Sequence, residues 1–149
     1  MLISVKEASV SDAEVISKLS AETFFETYSW YNTPENMREY TQKHFSVEQT
    51  KKDFSEPDTH FFLASHNNEI IGYAKLRVFE HPIELTGKKH IEIERIYVQK
   101  KHHNKKAGYA IIKKCIKNFL INNNFLQKHN LHLKNLYLYV LLIFLQIHI

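Results

Sequence analysis

Apolar and polar positions alternate through "LISVKEA" at the start of the chain, the period of a half-buried strand. The period then lengthens. Val15, Ile16, Leu19, Phe24 and Phe25 supply the apolar positions of a helix, and Ser11 with Glu14 has the spacing of a capping box. In such a box each side chain satisfies the other residue's backbone N–H. A second helix is expected after Thr33, a capping residue type, with Pro34 in the first turn, where its missing N–H does no harm. "SVEQ", Ser46 to Gln49, repeats the box and predicts a short helix to about Phe54, ended by "EPD".

Strands return at "HFFLASH" and "EIIGYAKLRVFE", and His66-Asn67-Asn68 predicts a hairpin between them. Gly72 inside the second run marks a bulge or a close backbone approach. "HPIELTGKKH" reads as a loop and "HIEIERIYVQ" as the next strand. Strict alternation there puts Ile91, Ile93, Arg95 and Tyr97 on one face and Glu92, Glu94, Ile96 and Val98 on the other. Ile111, Ile112, Cys115, Ile116 and Phe119 place a helix over "AGYAIIKKCIKNFLINN", and "LKNLYLYVLL" predicts a further strand. The order β-α-α-α-β-β-β-α-β points to an α/β (α+β) fold, a mixed sheet with helices on both faces. The chain has 149 residues and shows neither a repeat nor a linker, so a single domain is expected over 1–149.

Composition narrows the setting. Hydrophobic residues make up 44% and charged residues 24%, as in globular chains. The N-terminus is too polar for a secretory signal. Residues 135 to 149 carry no charge, but this run is too short to span a bilayer, which takes about 20 residues, and no membrane partner is expected. The single cysteine, Cys115, offers neither an internal disulfide nor a zinc pair, so a reducing, cytoplasmic setting without metal is expected.

Charge changes the picture more. All 16 aspartates and glutamates lie at or before Glu94, and ten of the 20 lysines and arginines follow them. That asymmetry points to an anionic partner: a phosphorylated cofactor, nucleic acid or a membrane surface. Biased composition from an AT-rich coding sequence produces the same enrichment. The nucleic-acid reading finds no stacking "K/R-G-F" motif and no helix-turn-helix pattern to support it.

The basic residues gather in "IEIERIYVQKKHHNKKAGYAII", a strand, a cationic turn and a helix. A helix N-terminus offers unpaired N–H groups and partial positive charge, and a pyrophosphate fits there. Lys100, Lys101, Lys105 and Lys106 add attraction, although a solvated basic turn has the same composition. The stretch is neither a P-loop nor a dinucleotide fingerprint, for it lacks G-x-x-x-x-G-K-[ST] and G-x-G-x-x-G.

The stretch resembles the acetyl-CoA-binding motif of the GNAT superfamily of N-acetyltransferases. That motif is a strand ending in "YV", a short connection, and Q/R-x-x-G-x-G/A opening a helix. Here the six positions read His103, Asn104, Lys105, Lys106, Ala107 and Gly108. Gly108 matches strictly, His103 stands for Gln or Arg, and Lys106 stands where glycine is usual. Asn104 tolerates the backbone angles of the glycine that many members have there. "ISVKEASVSDAEVISKLSAETFFETY", "NTPENMREYTQKHFSVEQ", "FFLASHNNEIIGYAKL" and "IEIERIYV" resemble the PaiA-like subgroup, described as polyamine (spermidine/spermine) acetyltransferases. The similarity runs from about residue 2 to about residue 125.

The resemblance implies a GNAT fold and transfer of an acetyl group from acetyl-CoA to a primary amine by direct attack in a ternary complex. Backbone groups of Ile96, Tyr97 and Val98 would pair with the pantetheine, and N–H groups from His103 to Gly108 would hold the pyrophosphate. Glu94, with Glu92 on the same strand, would take the proton that the ammonium must lose before attack. The alternative for both is a structural carboxylate paired with Arg77 or Arg95. An N–H near Val98 would stabilise the oxyanion. A polyamine would meet carboxylates and aromatic faces, and Glu26, Tyr28 and Trp30, with Glu22 and Tyr31 nearby, offer both; core aromatics with solvated acids are the simpler alternative.

The end of the chain departs from the family's pattern. After "NLYLYV" the family carries a helix with N-x-x-A…F-Y-x-x-x-G-F, whose Tyr commonly protonates the departing thiolate, and then two strands. Here "LLIFLQIHI" follows. The domain is therefore expected to be incomplete after about residue 140 through a frameshift or early stop, with weak or absent activity and an uncovered face that favours poor solubility or a homodimer. Tyr137 and Tyr139 are the nearby hydroxyls that remain. A non-catalytic CoA-binding or interaction remnant is the alternative function.

Overall fold

Short-range hydrogen bonds set where the helices begin. Thr33 Oγ1 accepts the Asn36 N–H at 3.2 Å, and Pro34 opens the helix behind it, as expected. Ser46 Oγ accepts the Gln49 N–H at 3.2 Å, but the Gln49 amide reaches forward to Asp53 instead of back to the cap. The first box moves. Its donor is the Ser9 N–H and its acceptor is Asp12, at 3.0 Å, not Ser11 with Glu14. "SVSD" and "SDAE" overlap with the same spacing, and Lys6 decides between them by bonding Asp12 at 3.1 Å. That N–H of Ser9 holds the Asp12 carboxyl below its usual range. A depressed carboxylate stabilises the fold above its unfolded pKa of 3.8 and loses that contribution as pH falls through the folded value. Asp12→Asn is expected to remove about 0.5 kcal/mol at pH 7 and much less at pH 2, measured by urea unfolding at both.

The computed structural model describes residues 3–80 and 89–122. The elements are β1 (Ser4–Glu7), α1 (Ala13–Tyr28), α2 (Pro34–Phe45), α3 (Val47–Ser55), β2 (Thr59–His66), β3 (Glu69–Glu80), β4 (Lys89–Val98) and α4 (Ala107–Asn122). Single 3₁₀ segments lie at Val10–Asp12, Ser29–Tyr31 and Lys100–Lys105. The loop expected over residues 81–90 lies outside the described residues except for its last two, which open β4. The strand expected over 133–142, with Tyr137, Tyr139 and the departing end, also lies outside them.

The described sheet has the order β1-β2-β3-β4, antiparallel throughout. Asn67 and Asn68, with φ of 52° and 65°, make the two-residue hairpin turn that the strand twist favours. Helices cover both faces. Ala107, Ile111, Cys115 and Phe119 of α4 pack on Phe62, Ala74, Leu76 and Ile93. Ile16 and Leu19 of α1, with Phe54 of α3, pack on Phe61, Leu63 and Tyr73. Phe25, expected among the apolar positions of α1, is 57% exposed, because the core side of that helix is completed by Ser20 and Thr23. Their hydroxyls are buried without penalty by donating to the carbonyls of Ile16 and Leu19.

Gly72 has a clear reason to be glycine. A Cβ there would stand 2.7 Å from the Tyr97 carbonyl oxygen, so the close approach of β3 to β4 needs it. The pairing also slips between Ala64 and Ser65 beside it. A second slip, in β4, overturns the expected faces. Lys75 pairs with Arg95 and Leu76 with Ile93, which leaves Glu94 as the extra residue of a bulge. Beyond it the alternation is inverted. Ile96 and Val98 join Ile93 in the α4 layer, while Tyr97 packs in the α1 layer and Arg95 reaches Asp53 of α3. Arg95 and Tyr97 are thus not on the face of Ile93. Among the described residues no helix is long and apolar enough to cross a membrane.

Candidate functional site

The end of α1 and the Ser29–Tyr31 segment form one wall of a cleft of about 910 Å³. The opposite wall is the end of β4, the basic 3₁₀ segment and the first turn of α4. Ile96, Tyr97 and Val98 line it, and β4 is an edge strand of the described sheet, so a ligand can run along it as a further strand would. Of the six motif positions, His103, Lys106 and Gly108 line the cleft. Asn104 and Lys105 are exposed and outside the lining, and Ala107, the first residue of α4, is fully buried against the sheet.

Each of the three lining positions has a definite job. His103 Nε2 donates to the Val98 carbonyl at 2.9 Å, tying the turn back to β4. Lys106 has φ 59° and ψ 23°, the left-handed region that favours glycine. Among the described residues Gly108 has no neighbouring atom within 4 Å of where a Cβ would be, so the space over it is open. A cradle with room over Gly108, walled by Lys100 and Lys106, fits the diphosphate of a CoA thioester. Lys106→Gly is expected to relieve about 1 kcal/mol of backbone strain and to tighten acetyl-CoA binding, read by urea unfolding and calorimetry. A fall in affinity would make the lysine a ligand.

Glu94 and Glu92 lie elsewhere. Neither lines the cleft. The bulge turns Glu94 toward α3, where its Oε1 takes Lys75 Nζ at 3.2 Å and Arg95 at 3.3 Å, with Arg77 at 3.9 Å from Oε2. Oε2 itself is buried without a hydrogen bond among the described residues. Lys75 also holds Asp53 at 3.0 Å, both side chains being 4% exposed, and Arg95 sits over the Phe45 ring at 5.2 Å. Glu92 stands opposite Arg77 in the register. The sequence reading missed Lys75 and Asp53, because nothing local pairs α3 with β3.

Glu26, Tyr28 and Trp30 all line the cleft, with Tyr31 beside them. Phe24 stacks on Tyr40 at 4.5 Å and meets Tyr28 at 4.8 Å, which fixes the Tyr28 ring. Trp30 and Tyr31 project into solvent, 85% and 86% exposed. Across from them Tyr109 and Ile112 of α4 complete the lining, with Thr23 and Thr27 of α1. None of these four was read as lining a site, although Thr23, Glu26, Thr27 and Trp30 follow a helical i, i+3, i+4, i+7 spacing. Burial pushes the Tyr97 hydroxyl up to about 12, so it stays a neutral donor at working pH. Burial likewise pushes the Cys115 thiol up to about 12, which leaves it inert. No group of three or more His, Cys, Asp or Glu among the described residues is placed to hold a metal ion.

Comparison with known proteins identifies the family. Residues 21–138 match the Acetyltransferase (GNAT) family. The chain belongs to that family. Its sequence is 27% identical over 106 residues to an uncharacterized N-acetyltransferase of Lactobacillus delbrueckii subsp. lactis, over 71% of this chain. The chain spans 61% of that relative's length. In structure it is similar to the PaiA N-acetyltransferase of Thermoplasma acidophilum, solved with coenzyme A (TM-score 0.66, 20% identity, 83% of this chain and 75% of that one). It is also similar to the aminoglycoside acetyltransferase HMB0005 from an uncultured soil metagenomic sample (TM-score 0.62, 19% identity, 83% and 74%). The GNAT acyltransferase fold is therefore shared, and in this chain it carries the cleft at the end of β4.

Proposed function

We propose that the chain binds acetyl-CoA in the cleft and acts as an N-acetyltransferase on a primary amine. The carrying observation is the cradle itself: an edge strand leading to a left-handed Lys106 and an open Gly108 between cationic side chains. Ile96, Tyr97 and Val98 align the pantetheine by backbone pairing. Lys100 and the backbone N–H groups of His103, Lys106 and Gly108 meet the phosphates. Asn104, Lys105 and Ala107 contribute through the shape of the turn. The amine nitrogen attacks the thioester carbonyl, a C–N bond forms, the C–S bond breaks, and the leaving sulfur takes the second amine proton to depart as the thiol. Glu94 stands outside the cleft lining and takes the ammonium proton through water, and Glu92 supports it.

Tyr28 and Trp30 form the acceptor end, where aromatic faces receive an alkylammonium. Polyamines are the acceptor class that the sequence resemblance to the PaiA-like subgroup implies, and the second structural likeness adds aminoglycosides to the panel. One observation favours a second reading, a CoA-binding chain without catalysis: neither glutamate lines the cleft, and Glu94 is engaged by Lys75 and Arg95. Calorimetry with acetyl-CoA tests the shared part, and absence of binding at millimolar ligand would sink both. Thiol release with spermidine and with an aminoglycoside separates them.

A further inference from the structure

Glu26 has a second engagement that bears on its role. Its Oε2 accepts the backbone N–H of Lys100 at 3.0 Å, across 74 residues of sequence. One turn earlier on α1, Glu22 Oε2 accepts the Gln99 side-chain N–H at 3.3 Å. Lys100 is the first residue of the basic 3₁₀ segment, and the opening N–H groups of such a segment have no partner within it. A charged acceptor bonds such a group about twice as strongly as a neutral one.

The rest of the segment is tied elsewhere. The Gln99 N–H donates to the Ile71 carbonyl at 2.9 Å, Lys101 pairs with Glu69 at 2.6 Å, and His103 holds Val98. All of these ties run to the sheet. The Glu22 and Glu26 contacts fasten the segment to α1, the opposite wall of the cleft.

We propose that Glu26 is a positioning residue for the anion-binding turn, fixing the width of the cleft over Lys106 and Gly108 by holding the Lys100 N–H, rather than a carboxylate that recognises the acceptor amine. The chemistry favours this. A carboxylate beside a phosphate site repels the ligand, so its place there calls for another partner, and the Lys100 N–H is at bonding distance. The inference rests on the acetyl-CoA reading of the cleft.

Two variants and two measurements test it. Glu26→Ala removes the acceptor. Glu26→Gln keeps a carbonyl oxygen in the same place without the charge. Amide hydrogen exchange at Lys100, followed by NMR on the ligand-free protein, is expected to quicken about tenfold in Glu26→Ala and to stay near wild type in Glu26→Gln. The acetyl-CoA Kd is expected to rise about tenfold in Glu26→Ala and less than twofold in Glu26→Gln, with the amine KM unchanged in the latter. Unchanged exchange in Glu26→Ala overturns the proposal. So does a rise in amine KM in both variants at constant acetyl-CoA Kd, the signature of acceptor recognition. If the wild-type protein binds no acetyl-CoA, the functional reading fails, and the exchange measurement alone still decides whether Glu26 holds the turn.

Discussion

Gly108→Leu is expected to leave the fold intact and weaken acetyl-CoA binding by about 100-fold, close to 2.8 kcal/mol. Among the described residues no neighbouring atom lies within 4 Å of the position its Cβ would take, so the branch starts in open space. It projects into the space where the phosphates are proposed to lie. Leucine also favours a helix over glycine by roughly 0.7 kcal/mol, and Gly108 is the second residue of α4, so stability should hold or rise slightly. Loss of function without loss of fold is the informative combination. Calorimetry with acetyl-CoA and a thermal melt read the two separately. Gly108→Ala should fall between, since a single methyl group narrows the cradle without closing it. Wild-type affinity in the leucine variant would show that the thioester does not pass over this residue.

Asp53→Ala is expected to destabilise the protein by about 3 kcal/mol, measured by urea unfolding. Asp53 holds Lys75 Nζ at 3.0 Å and the Gln49 amide at 2.7 Å, with Arg95 at 3.7 Å. Lys75 is 4% exposed, so deleting its partner strands an ammonium away from water. Glu94 at 3.2 Å still compensates part of that charge, which puts the effect at the low end of what breaking a buried pair costs. The double variant Asp53→Leu with Lys75→Met should recover most of the loss, because apolar groups of similar volume need no partner. A loss under 1 kcal/mol in Asp53→Ala would mean that water reaches the pair. The pair also has a functional consequence. Lys75 is shared by Asp53 and Glu94, so the orientation of the proposed base depends on α3 as well as on its own strand.

Local signals carried much of the architecture. Thr33 and Ser46 cap α2 and α3 through N–H groups three residues ahead, and Asn67-Asn68 turns the hairpin through its own backbone angles. Such contacts are decided within one turn of chain, so spacing and residue type are enough to find them. Where two local signals overlap, spacing is not enough. Ser9 with Asp12 and Ser11 with Glu14 present the same pattern, and the choice fell to Lys6 on β1. The exposure of Phe25 has a similar origin. Helical period identifies an apolar position, but Ser20 and Thr23 supply the buried side once their hydroxyls find carbonyls.

The sequence by itself determined the order of the described elements, the caps of α2 and α3, the hairpin, the basic turn ahead of α4 and the need for glycine at position 72. All of these but the last rest on contacts within a few residues, and Gly72 declared itself as a glycine inside a strand run. Tertiary structure decided the rest. The bulge at Glu94 arises from the register of β4 against β3, and it sends Arg95 and Tyr97 to the α1 side against the alternation. The Asp53–Lys75 pair joins α3 to β3, and Glu26 finds its donor 74 residues away. Hydrogen bonds and ion pairs between distant segments depend on which chains lie side by side, and a one-dimensional pattern records only the residues, not their neighbours in space.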